Sequence, residues 1–330
     1  MGEFELIARY FNRPTVRAAV GPGDDCAVLA PRPGMQLAVS SDMLVEGRHF
    51  LSTVDAARLG HKALAVNLSD LAACGAEPLG FTLALALPRA DEAFVAGFAR
   101  GLFALADAHG IALVGGDTTA GPLTICITVF GEVAPGAALL RSGARPGDTV
   151  WVSHPPGGGV GDARLALEAF RGAVVLPGEA FERVRRAMEM PEPRVALGRA
   201  LCGVASAAID VSDGLLGDLA HLLARSGVGC RLDADRVPRS ADLRGQSLAL
   251  QRLCSLSGGD DYELVFTAPQ SASERVLAAA REAAVAVAPI GRIEVSPGLR
   301  LVDLHGAALD NVWAPFDHFV LPKPNAAVLA

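Results

Sequence analysis

Acidic side chains recur in this sequence beside glycine or serine, where an apolar strand is predicted to begin or end. The segments GPGDD, SSD, GGD, IDVSDG and SGGDD place carboxylates at Asp25, Asp42, Asp117, Asp210, Asp213, Asp260 and Asp261. Asp70 adds a carboxylate from a predicted helix, with Asn67 one turn before it on the same face. A single aspartate beside glycine is most often only a turn former. The joint pattern predicts a cluster, because strands of one sheet can deliver their end loops to a common edge.

Converging carboxylates would repel one another, and the neighbouring sequence supplies few Lys or Arg residues to offset the charge. Carboxylate and hydroxyl oxygens without a His or Cys cluster favour Mg²⁺ over zinc or iron. Since Mg²⁺ takes only one or two protein carboxylates and completes its shell with water and phosphate oxygens, so many acids predict several ions on a polyphosphate. The GGD and VSDG segments add backbone N–H groups that suit phosphate oxygens. These residues predict an ATP-dependent phosphoryl transfer.

Other phosphate, metal and nucleophile signatures are absent. The sequence has no GxxxxGK[ST] loop, no HExxH motif and no GxSxG elbow. The glycine-rich segment GGGVGDA, residues 157–163, does not satisfy GxGxxG. It predicts a flexible loop and gives no support to a dinucleotide site.

The elements that must position the acids alternate between strands and helices in two successive blocks. Because 330 residues exceed what one hydrophobic core usually supports, two domains are expected. In the first block, helices from about Asp55 to Cys74 and from Asp91 to His109 are predicted to cover a sheet of four or five strands. The segment 134–148 is rich in Pro and Gly and is the predicted boundary. The predicted fold is α/β (α+β), with domains 1–138 and 139–330.

The second block restarts the alternation. Helices are predicted near 160–170, 179–189 and 193–204, and a helix over 212–227 is predicted to carry Ser212 and Asp213 in its first turn. Strands SAAIDV, GCRLDA and VAPIGRIE and a loop-rich tail complete it. Glu263 alternates with apolar residues in YELVF, which predicts the exposed face of a strand.

Composition excludes several classes of protein. The net charge is −7 without a basic run, so neither a nucleic-acid nor a membrane partner is expected. The six cysteines show no CxxC spacing, which indicates buried thiols in a reducing compartment. The N-terminus lacks signal-peptide features, and no apolar run approaches the roughly 18 to 20 residues of a membrane span. A cytoplasmic location is expected.

Seven segments together resemble one family. GDDCAVL, SSDMLVEGRHF, GHKALAVNLSDLAACGAEP, VGGDTTAGP, RSGARPGD, IDVSDGL and SGGDDYELVFT occur in the order and rough spacing of thiamine-monophosphate kinases, from about residue 20 to residue 267. The tail WAPFDHF is similar to the closing motif of that family. The resemblance implies ATP-dependent, Mg²⁺-dependent phosphorylation of thiamine monophosphate to thiamine diphosphate, the last step of thiamine diphosphate biosynthesis. It also implies an N-terminal domain that binds ATP and Mg²⁺ and pairs its sheet across a homodimer, and a C-terminal domain that closes the cleft.

The same resemblance implies a role for individual residues. The implied metal ligands are Asp25, Ser41, Asp42, Asp70, Asp117, Asp210 and Asp213. The implied nucleotide contacts are Gly116, Asp117, Arg141 and Ser212. His49, Asp260 and Phe316 match the positions that hold thiamine phosphate, with Trp313 as the alternative aromatic residue. Asp260 stands where the family usually has Glu.

No catalytic base is expected, because the acceptor phosphate is already largely ionised near neutral pH. The obstacle is repulsion between two polyanions, roughly 4 kcal/mol for a pair of unit charges about 4 Å apart at an effective dielectric of 20. Two other enzyme or binding functions stay open: an amidine-forming ATP-dependent ligase of the same superfamily, and a relative that binds ATP and Mg²⁺ without turnover. A purely structural α/β dimer is a third hypothesis.

Overall fold

The chain folds as two units, Met1–Ala138 and Leu139–Ala330, each with its own sheet and helices. The structure is a computed structural model that describes residues 3–15, 18–22 and 25–313. Both units combine mixed sheets with flanking helices, so the predicted α/β (α+β) class is confirmed.

The first unit is built on a four-stranded sheet in the order β3-β6-β4-β5. Its elements in chain order are α1 (Glu3–Tyr10), β1 (Ala18–Val20), β2 (Val28–Leu29), β3 (Gln36–Val45), α2 (Ala56–Cys74), β4 (Glu77–Leu87), α3 (Glu92–His109), β5 (Ala112–Ala120) and β6 (Thr124–Val133). Strands β4 and β5 are parallel, and the other pairs in this sheet are antiparallel. Strands β1 and β2 form a separate antiparallel pair.

Local signals fix the ends of α2 and α3. The side chain of Asp55 accepts hydrogen bonds from the N–H groups of Ala57 and Arg58 and caps α2. Asp91 accepts from Phe94 N–H and caps α3. Both helices end at a glycine in the left-handed conformation, which satisfies the last carbonyl groups. The two predicted helices are therefore confirmed.

Two glycines let α2 and α3 touch through their backbones. A Cβ at Gly60 would lie 2.0 Å from the carbonyl oxygen of Phe98, and a Cβ at Gly101 would lie 1.8 Å from that of Ala57. This contact fixes the position of α2 relative to α3, and α2 carries Asn67 and Asp70.

Side chains of β3 alternate between the two faces of the sheet. Leu44 is buried, whereas Leu37, Val39 and Met43 on the opposite face are 47%, 57% and 55% exposed. That apolar face is uncovered by the described residues of this chain. It is continuous with Phe130 of β6, which pairs with Val39.

The second unit contains a seven-stranded sheet in the order β13-β12-β9-β11-β7-β10-β8. Its elements are β7 (Thr149–His154), α4 (Asp162–Phe170), α5 (Gly178–Glu189), α6 (Val195–Leu201), β8 (Ala207–Asp210), α7 (Leu215–Ser226), β9 (Gly229–Asp233), α8 (Ala241–Arg244), α9 (Leu248–Ser257), β10 (Leu264–Ala268), α10 (Ser273–Glu282), β11 (Ala286–Glu294), β12 (Gly298–Val302) and β13 (Ala308–Leu309). The predicted loop-rich tail instead contains β12 and β13. Strand β12 is parallel to β9, and the other described pairs of this sheet are antiparallel.

Glu263 is buried, at 3% exposure, and the predicted exposed position is wrong. Its carboxylate is paired with the guanidinium of Arg194, at 2.5 Å from Nη2 to Oε1 and 2.8 Å from Nε to Oε2. The hydroxyl of Ser153 also donates to it. Glu263 directly precedes β10, whose five residues are all buried, so this segment has no exposed face.

No helix in the described part of the chain combines the length and the apolar character needed to cross a bilayer.

Candidate functional site

Helix α2 and strand β3 bring Asp42 and Asp70 into one polar group in the first unit. The hydroxyl of Ser40 donates to Oδ2 of Asp70 at 2.5 Å. The backbone N–H of Asp42 donates to Oδ1 of Asn67 at 3.0 Å, and the amide group of Asn67 donates to the carbonyl of Ala63. We call Ser40, Asp42, Asn67 and Asp70 the strand-helix group.

The periodicities of the two elements explain this placement. Ser40 and Asp42 are two apart on β3 and face the same side of the sheet, whereas Asn67 and Asp70 are three apart on one face of α2. Ser41 lies between them and its side chain faces the other side. Its hydroxyl lies 2.9 Å from Oγ1 of Thr128. The structure therefore separates the side chain of Ser41 from the carboxylates of Asp42 and Asp70.

Asp117 lies at the opposite edge of the sheet. The register runs from Asp42 to Ile127 on β6, from Ile127 to Leu83 on β4, and from Leu83 to Gly116 on β5. Three strand spacings separate the two edges, about 14 Å. Within one chain the structure thus keeps Asp117 away from the strand-helix group.

The predicted turn at GGD is also part of a strand. Both Gly116 and Asp117 belong to β5, after a register shift in its pairing with β4. Gly116 has φ 152°, and a Cβ there would lie 1.9 Å from the carbonyl oxygen of Leu83. Glycine is required at this position because the backbones approach so closely.

His49, the predicted substrate residue of the first unit, accepts hydrogen bonds at its ring and at its backbone carbonyl. The N–H of Val45 donates to Nδ1 of His49 at 3.0 Å, so Nδ1 is the acceptor and a neutral ring carries its proton on Nε2. The ammonium group of the buried Lys62 donates to the carbonyl of His49 at 3.0 Å. Sequence reasoning missed Lys62. The signal was a lone cation next to the apolar run ALAV of α2.

Asp25 and the two candidate aromatic residues remain to be placed. Asp25 and Asp117 are exposed, and neither side chain has a hydrogen-bond or ion-pair partner among the described residues. Phe316 lies outside the described residues. Trp313 is described and packs against the hydrophobic core of the second unit.

In the second unit, the turn between β8 and α7 carries three predicted residues. Asp210 is buried at the end of β8. Ser212 and Asp213 precede α7, which begins at Leu215, so their predicted place in its first turn is wrong. Oδ2 of Asp218 accepts hydrogen bonds from the N–H groups of both, each at 3.1 Å.

Asp218 was missed by sequence reasoning, although it stands out as an acid within the apolar helix LLGDLA. Burial raises the pKa of its carboxyl to about 7, and the hydrogen bonds from the turn and the charge of Arg141 act against that rise. Arg141 is itself exposed, and its carbonyl accepts from the hydroxyl of Ser226.

The turn that carries Asp260 lies beside the turn that carries Ser212. Asp260 N–H donates to the carbonyl of Ser212 at 2.9 Å, and Tyr262 N–H donates to that of Val211 at 2.8 Å. The turns meet because β8 and β10 are antiparallel neighbours. Asp260 has a left-handed φ of 68°, and the hydroxyl of Tyr262 donates to its carboxylate at 3.2 Å. The structure thus brings two predicted residues of different roles together.

The donors in both units suit magnesium. They are carboxylate, hydroxyl and amide oxygens, which are ligands of hard cations. In the described ranges no three His, Cys, Asp or Glu side chains gather closely enough to hold an ion by themselves. Mg²⁺ needs only one or two protein carboxylates when water and phosphate complete its shell, so this arrangement fits it. Asp42 and Asp70 could serve in the first unit, and Asp210 and Asp213 in the second.

Both halves of the chain match domains of one known protein family. Residues 23–133 match the family AIR synthase related protein, N-terminal domain, and residues 145–303 match the corresponding C-terminal domain. The thiamine-monophosphate kinase of Salmonella typhimurium is 44% identical over 332 residues, which cover 97% of this chain and 99% of that protein.

Solved structures of thiamine-monophosphate kinases also match the fold of this chain. The thiamine-monophosphate kinase from Stenotrophomonas maltophilia K279a matches with a TM-score of 0.82 and 44% identity, over 93% of this chain and 96% of that one. AaThiL complexed with AMPPCP and TMP matches with a TM-score of 0.75 and 26% identity, over 96% of each chain.

Proposed function

We propose a direct, in-line phosphoryl transfer for this chain, which belongs to the thiamine-monophosphate kinases of the AIR synthase related family. The γ-phosphate of ATP passes to the phosphate of thiamine monophosphate and gives ADP and thiamine diphosphate, the last step of thiamine diphosphate biosynthesis. The observation that carries the proposal is the 44% identity to a thiamine-monophosphate kinase over 97% of this chain. The complex of AaThiL with AMPPCP and TMP supports the choice of both substrates.

In this proposal the chain promotes the reaction by binding the cations that offset the repulsion between the two substrates. An ionised acceptor phosphate needs no base, and the main barrier is its repulsion from ATP, about 4 kcal/mol for each pair of unit charges at 4 Å. Bound Mg²⁺ would neutralise phosphate charge as it develops. Asp42 and Asp70 would hold it in the first unit, and Asp210 and Asp213 in the second. Asp25, Ser41 and Asp117 remain proposed ligands from the resemblance.

Residues other than the proposed metal ligands would orient the substrates. His49 has its Nδ1 occupied by Val45 N–H, so a neutral ring carries its proton on Nε2, and this N–H is proposed to donate to a phosphate oxygen of thiamine monophosphate. Arg141, Ser212 and Gly116 are proposed for the nucleotide. Asp260 is proposed for thiamine monophosphate, together with Phe316.

A homodimer through the first sheet is part of the proposal. Leu37, Val39 and Met43 each expose about half of their surface on one face of β3, and a second copy of that face would remove them from water. A cytoplasmic location is proposed because all six cysteines are free thiols, as in a reducing compartment.

An acceptor panel tests the activity. Purified protein, ATP and Mg²⁺ are mixed with thiamine monophosphate, free thiamine or an aminoimidazole-type ribonucleotide precursor, and ADP and thiamine diphosphate are measured. Of the three acceptors, we expect only thiamine monophosphate to be phosphorylated, because free thiamine lacks the nucleophilic phosphate. ADP release only with the ribonucleotide would identify a ligase, and ATP binding without any ADP would identify a non-catalytic relative.

A further inference from the structure

The glycine-rich segment 157–163 has no part in the proposed reaction, yet it is tied to the turn that carries Asp260. The tie is Asp261, whose Oδ1 accepts a hydrogen bond from the backbone N–H of Gly161 at 2.8 Å. Its other oxygen, Oδ2, is buried and has no hydrogen-bond partner among the described residues. A buried carboxyl oxygen without a partner costs free energy, so its presence calls for a function of the side chain.

Glycines make the contacts around this carboxyl unusually close. Gly161 has φ 98°, and a Cβ there would lie 2.6 Å from the carbonyl carbon of Cys254. A Cβ at Gly259 would lie 2.5 Å from the carbonyl oxygen of Ser212. The glycine-rich segment, the end of α9 and the Ser212 turn therefore meet backbone to backbone, and a shift of one must displace another.

We propose that Asp261 is a positioning residue: its carboxyl fixes the glycine-rich segment against the turn 258–262, and thereby sets the positions of Asp260 and Ser212. The chain of contacts is short. Gly161 N–H binds Asp261, Asp261 follows Asp260 directly, and Asp260 N–H binds the carbonyl of Ser212. The effect on turnover rests on the proposed function, in which Asp260 contacts thiamine monophosphate and Ser212 contacts the nucleotide.

The proposed role needs an acceptor oxygen and no negative charge. Burial raises the pKa of Asp261 well above its usual range, and the neighbouring Asp162, Glu263 and Asp260 add to the rise. A neutral carboxylic acid still accepts the Gly161 hydrogen bond through Oδ1. Asparagine offers the same acceptor at the same distance from the backbone, whereas alanine and leucine offer none.

The test compares Asp261→Asn with Asp261→Ala in the full chain. Hydrogen exchange of the Gly161 amide is measured without substrate, and KM for thiamine monophosphate, KM for ATP and kcat are measured separately. We expect the alanine variant to lose protection at Gly161 and to raise KM for thiamine monophosphate by about tenfold to a hundredfold, as for a displaced binding group. The asparagine variant is expected to stay within about threefold of the wild type in all of these.

Two further variants keep the test decisive. Cys230→Ala removes a buried side chain from β9, three strands from β10, and controls for a general loss of stability in the same unit. Asp261→Leu fills the volume without an acceptor, and replaces the alanine variant should that one fail to fold. The Cys230 variant is expected to leave both KM values unchanged.

Several results would overturn the proposal. The first is unchanged hydrogen exchange at Gly161 in the alanine and leucine variants. The second is an asparagine variant as impaired as the alanine variant. The third is a change in KM for thiamine monophosphate in the alanine variant that is no larger than the change in Cys230→Ala. Exchange at Gly161 needs no turnover, so a wild-type protein that fails to phosphorylate thiamine monophosphate would refute the kinase proposal while exchange still decides the role of Asp261.

Discussion

Replacing Asp162 with asparagine should stabilise the second unit at neutral pH and have no effect in acid. Asp162 begins α4, is half-buried, and accepts a hydrogen bond from the hydroxyl of Ser240 at 2.6 Å. Burial raises its pKa from 3.8 to about 6, the Ser240 hydrogen bond opposes the rise, and the charge of Asp242 adds to it. An ionised carboxylate is therefore unfavourable in the folded state.

The magnitude follows from that shift. A rise of about 2 pKa units corresponds to about 3 kcal/mol, at 1.36 kcal/mol per unit. Because the folded state binds the proton more tightly than the unfolded state, the wild type loses this stability as the pH rises from about 4 to about 6. The loss is constant above that range. Asparagine is neutral throughout and its amide oxygen still accepts from Ser240, so Asp162→Asn should gain up to about 3 kcal/mol above pH 6.

Tryptophan fluorescence during urea unfolding reports the change in unfolding free energy of the second unit. Both tryptophans, Trp151 and Trp313, belong to the second unit, and Trp151 is buried against Phe266. The difference in unfolding free energy between Asp162→Asn and the wild type is followed from about pH 4.5 to about pH 8.

The control variant Asp242→Asn is expected to change the stability in the opposite direction. The pKa of Asp242 is lowered by its hydrogen bonds with Arg183, so that carboxylate stabilises the fold above its unfolded pKa and ceases to do so in acid. Asp242→Asn should therefore be less stable than the wild type at pH 8, and the two should converge as the pH falls. A constant difference between Asp162→Asn and the wild type across the pH range would refute the assigned cause, as would a loss of stability at pH 8.

Three further outcomes are expected. Replacing Arg194 with leucine leaves Glu263 buried without its cation and should cost about 3 to 5 kcal/mol in urea unfolding; a loss below about 1 kcal/mol would contradict the ion pair. Gly101→Ala should destabilise the first unit by about 3 kcal/mol, measured by circular dichroism, whereas Gly97→Ala, whose Cβ would have the Cβ of Ala56 as its nearest neighbour at 3.0 Å, should cost less. Lys62→Met should raise KM for thiamine monophosphate by about tenfold with KM for ATP unchanged, and equal changes in both would show a general disturbance.

Local sequence signals predicted the helices of the first unit well. Asp55 and Gly75 mark the ends of α2, and Asp91 and Gly110 mark those of α3, because capping groups act within one turn. The shared helix face of Asn67 and Asp70 also followed from the sequence, because residues three apart lie on one side of a helix. These features depend on neighbours that are close in the chain.

Features that depend on distant partners could not be predicted in the same way. Glu263 has an alternating pattern typical of a half-exposed strand, but Arg194, 69 residues earlier, pairs with it, and the strand that follows it is buried on both faces. Asp117 follows two glycines as a turn residue would, yet β5 continues through it because β4 supplies a partner strand. Ser41 and Asp42 are adjacent and chemically alike as ligands, and only the pleat of β3 shows that their side chains face opposite sides.

In the proposed mechanism, Asp42 and its neighbours hold the divalent ions on which phosphoryl transfer depends. Formation of thiamine diphosphate is measured for the wild type and for Asp42→Asn over a range of Mg²⁺ concentrations, with the fold of the variant checked by circular dichroism. We expect the folded variant to lose at least about a hundredfold in kcat and to need more Mg²⁺ than the wild type. A folded Asp42→Asn enzyme with wild-type activity and an unchanged Mg²⁺ requirement would contradict the claim.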